Sequence, residues 1–211
     1  MVTFILQGLI WTVIITLSSF VVGALFGIAV VGARTAPYRV VRAIGRVYVD
    51  VIRSVPPLVW LFIVFFGLAE LGLRLTPLQS AILTFSVIAS AYLGEIYRGG
   101  LAALGKGQIE AAQSIGLGGF DLVARIISPQ ILRTVSPSMV TYGIGLMKDS
   151  ALASTIGVIE MTFRANQITQ TTGLGLTAFA IVGAIYLALS IPLGLWARKV
   201  DENMRKKYVV T

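Results

Sequence analysis

The sequence contains no cysteine and no histidine among its 211 residues. Their absence excludes a disulfide framework, a zinc site with thiolate ligands and any nucleophile that depends on a Cys–His pair, and no metal site is predicted. Charge is also scarce, because Asp, Glu, Lys and Arg together make up 12% of the chain. Soluble domains carry about twice that share of charged residues. The composition therefore points away from a soluble globular protein.

Apolar residues, in contrast, make up 56% of the chain and give it a mean hydropathy of +0.89. They form blocks of about the 20 residues that an α-helix needs to cross a bilayer. The predicted spans cover approximately residues 4–32, 49–71, 77–97, 135–158 and 174–197. Bends or breaks are expected at Pro56-Pro57, Pro137 and Pro192, because proline removes a backbone hydrogen-bond donor. The first block has no charge and its first basic neighbour follows it, so we interpret it as a retained anchor and not as a cleaved signal peptide. The sequence predicts an all-α membrane protein with about five transmembrane helices.

The net charge of +8 comes from basic residues that mostly lie between or after these blocks. Five follow the first block, four lie between the third and the fourth, and five are in the C-terminal tail. The alternate connections hold only Arg74 and Arg164. Since basic loops stay on the cytoplasmic side, the N-terminus is predicted outside and the C-terminus inside. Membrane orientation thus accounts for the charge, and we expect no nucleic-acid binding.

The segment 99–129 is too long for an ordinary connection between helices and too polar to cross a membrane. It predicts two short cytoplasmic helices that are joined by a glycine turn around Gly116. The second helix is expected at about 120–127, and Pro129 is expected to stop it. The pattern alone leaves two interpretations open, an amphipathic pair resting on lipid headgroups or a docking site for another protein.

Six residues of this segment resemble the EAA loop of type I ABC importer permeases. They are Glu110, Ala111, Ala112, Gly116, Ile126 and Pro129. The family's signature is Glu-Ala-Ala, three residues, Gly, nine residues, Ile, one residue and Leu-Pro, and the chain keeps this spacing throughout. One position departs from it, because Ser128 stands where the family usually has Leu. In the family this residue helps to position the second short helix, so the substitution affects the details of docking and not the assignment.

The resemblance extends over most of the chain, from about residue 11 to residue 200. Three further segments are similar to the polar amino acid uptake permeases: RSVPPLVWL at 53–61, AYLGEIYRGGL at 91–101 and GLMKDSALASTIG at 145–157. The resemblance implies the MetI-like fold of type I importers. It also implies one transmembrane domain over residues 1–211, in which residues 99–129 form the cytoplasmic coupling loop.

The resemblance further implies alternating-access import of polar amino acids, of the glutamate, aspartate, glutamine, arginine and histidine class, across the bacterial inner membrane. The expected partners, besides the lipid bilayer, are two cytoplasmic ATPase subunits, a second permease copy or a relative, and an extracytoplasmic amino-acid-binding protein. The chain lacks a G-x-x-x-x-G-K-[ST] loop that would cradle a nucleotide phosphate. We therefore expect no cofactor in this chain and no enzyme activity, with ATP and Mg bound by the partner ATPase.

Within the coupling loop, the first short helix is expected to sit in a cleft of the ATPase. Glu110 would then make a charge-assisted hydrogen bond to that subunit. The alternative is a local role, in which Glu110 stabilises the dipole of its own helix from the N-terminal end.

Charges inside the predicted spans are the other candidates, because charge at membrane depth is costly and usually functional. Lys148, Asp149 and Ser150 follow one another in the fourth block, and the two charges would suit a zwitterionic amino acid. Their alternative role is to brace helix packing. Adjacent helical residues do not face each other, so either the helix is broken there or each charge has its own partner. Glu95 and Arg98 are spaced for an ion pair, which we interpret as bracing near an inner gate in preference to substrate contact.

Two other functions compete with an ABC importer subunit, namely an autonomous channel or secondary carrier and a membrane scaffold without transport. Many secondary carriers contain paired internal repeats, and this sequence shows none. An odd number of spans in a short chain instead favours a subunit that pairs with another permease. Neither competitor needs a cytoplasmic two-helix segment of this length.

Overall fold

The computed structural model describes residues 1–104, 107, 114, 116 and 118–208, with side chains as far as residue 202. The α-helices of this part are α1 (Val2–Leu6), α2 (Leu9–Thr35), α3 (Arg39–Ser54), α4 (Pro57–Phe62), α5 (Pro77–Ala103), α6 (Gly119–Asp121), α7 (Ser128–Asp149), α8 (Met161–Thr172) and α9 (Gly175–Tyr208). Wider π-helical turns over Ile63–Gly67 connect α4 to one further α-helical turn, Leu68–Glu70, and other π-helical turns over Leu122–Ile127 join α6 to α7. A narrower 3₁₀ stretch, Ser150–Ile156, follows α7. No strand occurs among the described residues, and the predicted all-α fold is confirmed.

The centre of the fold is the pair of α2 and α5, which run parallel. Ser19 donates a hydrogen bond to the carbonyl of Ile82 towards one end of the pair, whereas Arg34 contacts Glu95 towards the other. Glycines bring the two backbones close together, since a Cβ added to Gly94 would lie 2.6 Å from a Val30 methyl carbon. Two parallel helices require a connection that returns to the starting side, and α3 with α4 provides it.

That connection bends by 100° between α3 and the helical segment Pro57–Glu70. The bend lies at Pro56-Pro57, as the sequence predicts, because Pro56 forces Val55 into an extended conformation and Pro57 then starts a new helix. The N-terminal boundary of the predicted second span, 49–71, is therefore wrong, because it falls inside α3. The first residues of that span belong to α3, which carries arginines along one face.

Within the described residues, three helical segments are long and apolar enough to cross a membrane: Val2–Thr35, Pro77–Ala103 and Gly175–Glu202. The bent pair of α3 and Pro57–Glu70 makes a fourth if it counts as one span. The fourth predicted block corresponds to α7, which is less apolar. The number of five spans and their orientation stay predictions.

Prolines interrupt the helices less than the sequence suggests. The helix of about 120–127 does not stop at Pro129, because the π-helical turns lead directly from α6 into α7. Pro129 lies in the first turn of α7, and wider π turns before it accommodate its missing N–H. Pro137 and Pro192 lie within α7 and α9, and neither ends its helix. The α-helix of the fourth block ends at Asp149, earlier than predicted.

A smaller apolar cluster lies beside the main core and joins α1, α8 and α9. Ile5, Met161 and Ala165 are fully buried within it. Gly8 allows the chain to pass this cluster, since a Cβ there would lie 2.5 Å from the backbone of Glu160. The cluster holds the loop after α7 against the beginning of α2.

Candidate functional site

Glu95 lies near the end of α5, between two arginines. Its Oε1 is 2.7 Å from Nε of Arg34 on α2, and its Oε2 is 2.9 Å from Nη2 of Arg98 one turn further along α5. The side chains of Arg34 and Glu95 are 14% and 15% exposed. The i,i+3 pair expected from the sequence is thus present, and Arg34 adds a bond that fastens α2 to α5. The predicted coupling loop, 99–129, begins in the last turn of α5.

Lys148 and Asp149 stand where α7 gives way to the 3₁₀ stretch, so the regular helix does end at these charges. Lys148 lines a groove of about 450 Å³ between α7 and α9, to which Tyr186, Ser190 and Arg198 also contribute. Neither charge has a hydrogen-bond or ion-pair partner within the described part of the chain. The two side chains therefore do not neutralise each other.

Asp149 lies two turns after Tyr142 on the same face of α7 and within range of an electrostatic interaction with it. Tyr142 stacks on Tyr92 of α5 with ring centroids 5.2 Å apart, and the Arg53 guanidinium lies 4.8 Å from the centre of the Tyr92 ring. These four residues form what we call the Arg53–Asp149 strip, which has a cation at one end, two aromatic rings and a carboxylate at the other end. It crosses α3, α5 and α7.

Glu160 is a fully buried carboxyl between the 3₁₀ stretch and α8. Its Oε1 accepts a 2.7 Å hydrogen bond from the Phe163 N–H and so caps α8, while its Oε2 accepts a 3.4 Å bond from the Tyr186 hydroxyl. Thr12 and Ser150 also lie near that hydroxyl. Burial raises the pKa of Glu160 to about 7, although the hydrogen bonds oppose this shift.

Ser150, the third candidate of the fourth block, is fully buried. Its hydroxyl donates a 2.7 Å hydrogen bond to the carbonyl of Met147. It therefore contributes to the turn that follows α7 and lies near Tyr186, which also lines the Lys148 groove.

The structure describes only some of the residues predicted to couple the permease to the ATPase. Glu110, Ala111 and Ala112 lie outside the described residues. Gly116 has a φ of +82°, in the left-handed region that glycine adopts without strain, which agrees with the predicted glycine turn. Ile126 lies in the π-helical turns before α7 and Pro129 lies in the first turn of α7.

Comparison with known proteins identifies the family. A family model described as "Binding-protein-dependent transport system inner membrane component" matches residues 19–206. The chain belongs to this family. It is a permease subunit of a binding-protein-dependent ABC transport system, as its motifs predict.

Several relatives match this permease almost from end to end. The probable glutamine ABC transporter permease GlnM of Bacillus subtilis (strain 168) is 30% identical over 200 residues, which cover 95% of this chain and 91% of the relative. The arginine transport system permease ArtQ of the same organism is 32% identical over 205 residues, covering 97% and 94%.

Solved structures agree with this assignment. A crystal structure of an amino acid ABC transporter with histidines has a chain 26% identical to the permease, with a TM-score of 0.87 and coverage of 95% and 94%. An inward-facing MetNI methionine ABC transporter shares the fold at 20% identity, with a TM-score of 0.76 and coverage of 94% and 95%. The predicted MetI-like fold is confirmed.

The sequence did not indicate which side chains contact the permease's candidate residues in the fold. Arg34, Arg53 and Tyr92 belong to different segments, and no local spacing connects them. Glu160 lies just after a predicted span, where a carboxylate is unremarkable. Its position at the start of a helix with an apolar face was the one available signal. Among the described residues, no group of three or more acidic side chains is arranged to hold a metal ion.

Proposed function

We propose that this permease moves polar amino acids into a bacterial cell by alternating access across the inner membrane. In this proposal it pairs with a second permease, receives substrate from an extracytoplasmic binding protein and is driven by two ATPase subunits that bind ATP and Mg. The names of its relatives, permeases for glutamine, arginine and cystine, support an amino acid as substrate.

The Arg53–Asp149 strip is the observation that carries the substrate class. Asp149 is half-buried and has no partner in the described part of the chain, which is an arrangement that favours binding a ligand cation. An α-ammonium group would provide that cation. Arg53, or Lys148 from the neighbouring groove, would bind the α-carboxylate with a charge-assisted hydrogen bond. A zwitterion satisfies both ends, whereas an uncharged solute satisfies neither.

We also propose that residues 99–129 form the coupling loop, with Glu110, Ala111 and Ala112 against the ATPase. The left-handed Gly116 supports this proposal, since the turn it forms fixes the end of the segment that would dock. The Glu95 ion pairs at the end of α5 would transmit movement of this loop to α2. Such coupling requires an element with two positions, one favoured by nucleotide and the other by substrate.

The test reconstitutes the intact complex with its binding protein in liposomes and measures uptake of a panel of radiolabelled amino acids, with and without ATP. We expect uptake of at least one polar amino acid that depends strictly on ATP. Asp149→Asn should lower it about 10-fold or more, because a hydrogen bond to a charged group contributes roughly 1.5–3 kcal/mol. Asp50→Asn, at an exposed position of α3, is the matched control and should leave uptake unchanged.

Two results would contradict the proposal. Uptake that proceeds without ATP would support the autonomous carrier instead. Wild-type affinity and uptake in Asp149→Asn would remove Asp149 from the substrate pathway and leave it a role in helix packing.

A further inference from the structure

A second groove, of about 530 Å³, lies between α2, α3 and α5. None of the candidate substrate residues lines it. Its walls include Val22, Phe26, Ala29 and Ala33 of α2, Ile44 of α3 and Val87 of α5. The groove follows α2 from the middle of the helix to its C-terminal end, a distance of about 16 Å at 1.5 Å per residue.

The lining of this groove suits hydrocarbon and not a polar solute. No charged side chain lines it. The Tyr48 hydroxyl and the Ser90 hydroxyl are already hydrogen-bonded to each other at 2.6 Å. The buried Ser86 hydroxyl also lines the groove and has no hydrogen-bond partner within the described residues. A zwitterionic amino acid would therefore find one neutral hydroxyl there and no charged partner for either of its charges.

The groove opens towards the bilayer. Both α2 and α5 are long and apolar enough to span a membrane, and Phe26 on the groove wall is 64% exposed. Ile44, on the α3 side, is 65% exposed. Large apolar side chains exposed beside a groove between membrane helices are favourable where acyl chains or another apolar surface covers them, and the cationic groups at the end of the groove favour a lipid.

Cationic groups lie at the end of the groove. Arg39, Arg42 and Arg46 recur on the exposed polar face of α3, and none forms an ion pair within the described residues. Nη1 of Arg42 donates a 3.1 Å hydrogen bond to the carbonyl of Ala36, three residues after Ala33 of the groove wall. The Arg42 charge is thus fixed beside the groove's end.

We propose that this groove binds an anionic phospholipid, with one acyl chain between α2, α3 and α5 and the phosphate held by Arg42 and Arg39. Arginine binds phosphate through paired N–H donors. Basic side chains on an amphipathic helix at the membrane surface attract anionic lipids, by about 1 kcal/mol each. The site is independent of the substrate pathway, so neither proposal depends on the other.

The test titrates the purified full-length permease, in detergent, with phosphatidylglycerol or with phosphatidylcholine of identical acyl chains, and counts bound lipid by native mass spectrometry. We expect the permease to prefer phosphatidylglycerol. Arg42→Gln and Arg39→Gln should each weaken phosphatidylglycerol binding about five-fold, with little effect on phosphatidylcholine. Arg133→Gln, at another exposed arginine, is the matched control and should bind as wild type.

A second pair of variants tests the groove itself. Ala29→Phe places a ring in the groove from an exposed position, so it should fold normally and weaken binding of both lipids. Ala184→Phe, on an exposed face of α9, should change neither. Soluble glycerol phosphate, which lacks acyl chains, should not compete at equal concentration.

Three results would overturn the proposal. Equal phosphatidylglycerol binding by the wild type and both arginine variants would exclude the phosphate contact. Unchanged binding by Ala29→Phe, or equal competition by glycerol phosphate, would exclude the acyl-chain groove. Loss of permease pairing in Ala29→Phe with normal lipid binding would show that the groove holds a protein partner instead.

Discussion

Glu160 joins two parts of the molecule through one buried side chain. One carboxylate oxygen caps α8, and the other accepts the hydrogen bond from Tyr186, a residue that also lines the Lys148 groove. Removing the carboxylate from water costs free energy that its hydrogen bonds offset only partly, which is why its pKa rises to about 7. The protonation state of this one residue is therefore coupled to folding at neutral pH.

We predict that Glu160→Gln changes how stability depends on pH. The folded-state pKa lies above the usual value of 4.5, so the contribution of Glu160 to stability is full below about pH 4.5 and is lost as the pH rises through 7. Because the chain has no histidine or cysteine, few other side chains titrate in this interval. The thermal midpoint of the wild type in detergent should fall relative to the variant between pH 5 and pH 8.

Glutamine is a suitable replacement because its amide oxygen can still accept the Phe163 hydrogen bond. Glu70→Gln, at an exposed carboxylate, is the control and should follow the wild-type pH profile. Parallel profiles for the wild type and Glu160→Gln would show that Glu160 does not titrate between pH 5 and pH 8.

The candidate residues differ in how visible they are in the sequence. Lys148, Asp149 and Glu95 stand out because each interrupts an apolar block, where charge is costly. The Arg53–Tyr92 contact has no such signal, because Arg53 lies at the edge of a block and aromatic residues are ordinary in a membrane helix. Contacts between residues far apart in the chain depend on how helices cross, which local spacing does not contain.

At the scale of the helices, the ion pairs of Glu95 hold α2 and α5 together at one end. The Arg34–Glu95 pair is partly buried, with both side chains about 15% exposed. Charges removed from water to that extent are costly to leave unpaired. The pair therefore contributes more to the register of α2 against α5 than an exposed pair would.

We predict that Arg34→Gln destabilises the protein by about 2 kcal/mol, because it leaves Glu95 with only the more exposed Arg98. Combining it with Glu95→Gln should cost clearly less than the sum of the two single changes, since no buried charge then remains unpaired. Thermal or denaturant unfolding of the purified protein in detergent measures all three variants.

The chain supplies a matched control in the exposed pair of Asp121 and Arg125, whose side chains are 54% and 73% exposed at the same 2.9 Å separation as Arg98 and Glu95. Arg125→Gln should cost less than about 1 kcal/mol. Strict additivity of Arg34→Gln and Glu95→Gln would show that the Arg34–Glu95 contact does not couple the helices.

The helices themselves were largely predictable, and their ends were not. Apolar blocks locate α2, α5 and α9, because membrane helices need continuous hydrophobic surface. The break at Pro56-Pro57 was also found, since two consecutive prolines both restrict the chain. The stop predicted at Pro129 was wrong, because a proline is tolerated in the first turn of a helix and the π-helical turns before it continue the axis.

For the whole molecule, the directions of the helices explain how the proposed coupling loop could act on the Arg53–Asp149 strip. Residues 99–129 connect α5 to α7, which run antiparallel and carry Tyr92 and Tyr142 of the strip. Any displacement of that segment therefore acts on both helices at once. The loop that resembles the EAA loop and the Arg53–Asp149 strip therefore both involve α5 and α7.

We predict that Glu110→Gln and Gly116→Ala both uncouple ATP hydrolysis from uptake in the reconstituted complex. The first removes a charge-assisted hydrogen bond to the ATPase, of roughly 1.5–3 kcal/mol, and the second forces a Cβ into the left-handed region at φ +82°, at about 1–2 kcal/mol. The amino acid imported per ATP hydrolysed should fall about 10-fold while hydrolysis continues. Gly119→Ala, at φ +56° and at a position where the EAA signature specifies no residue, is the control for backbone strain alone. Wild-type ratios in both variants would exclude this segment as the coupling element, and equal losses in Gly119→Ala would assign the Gly116 effect to strain.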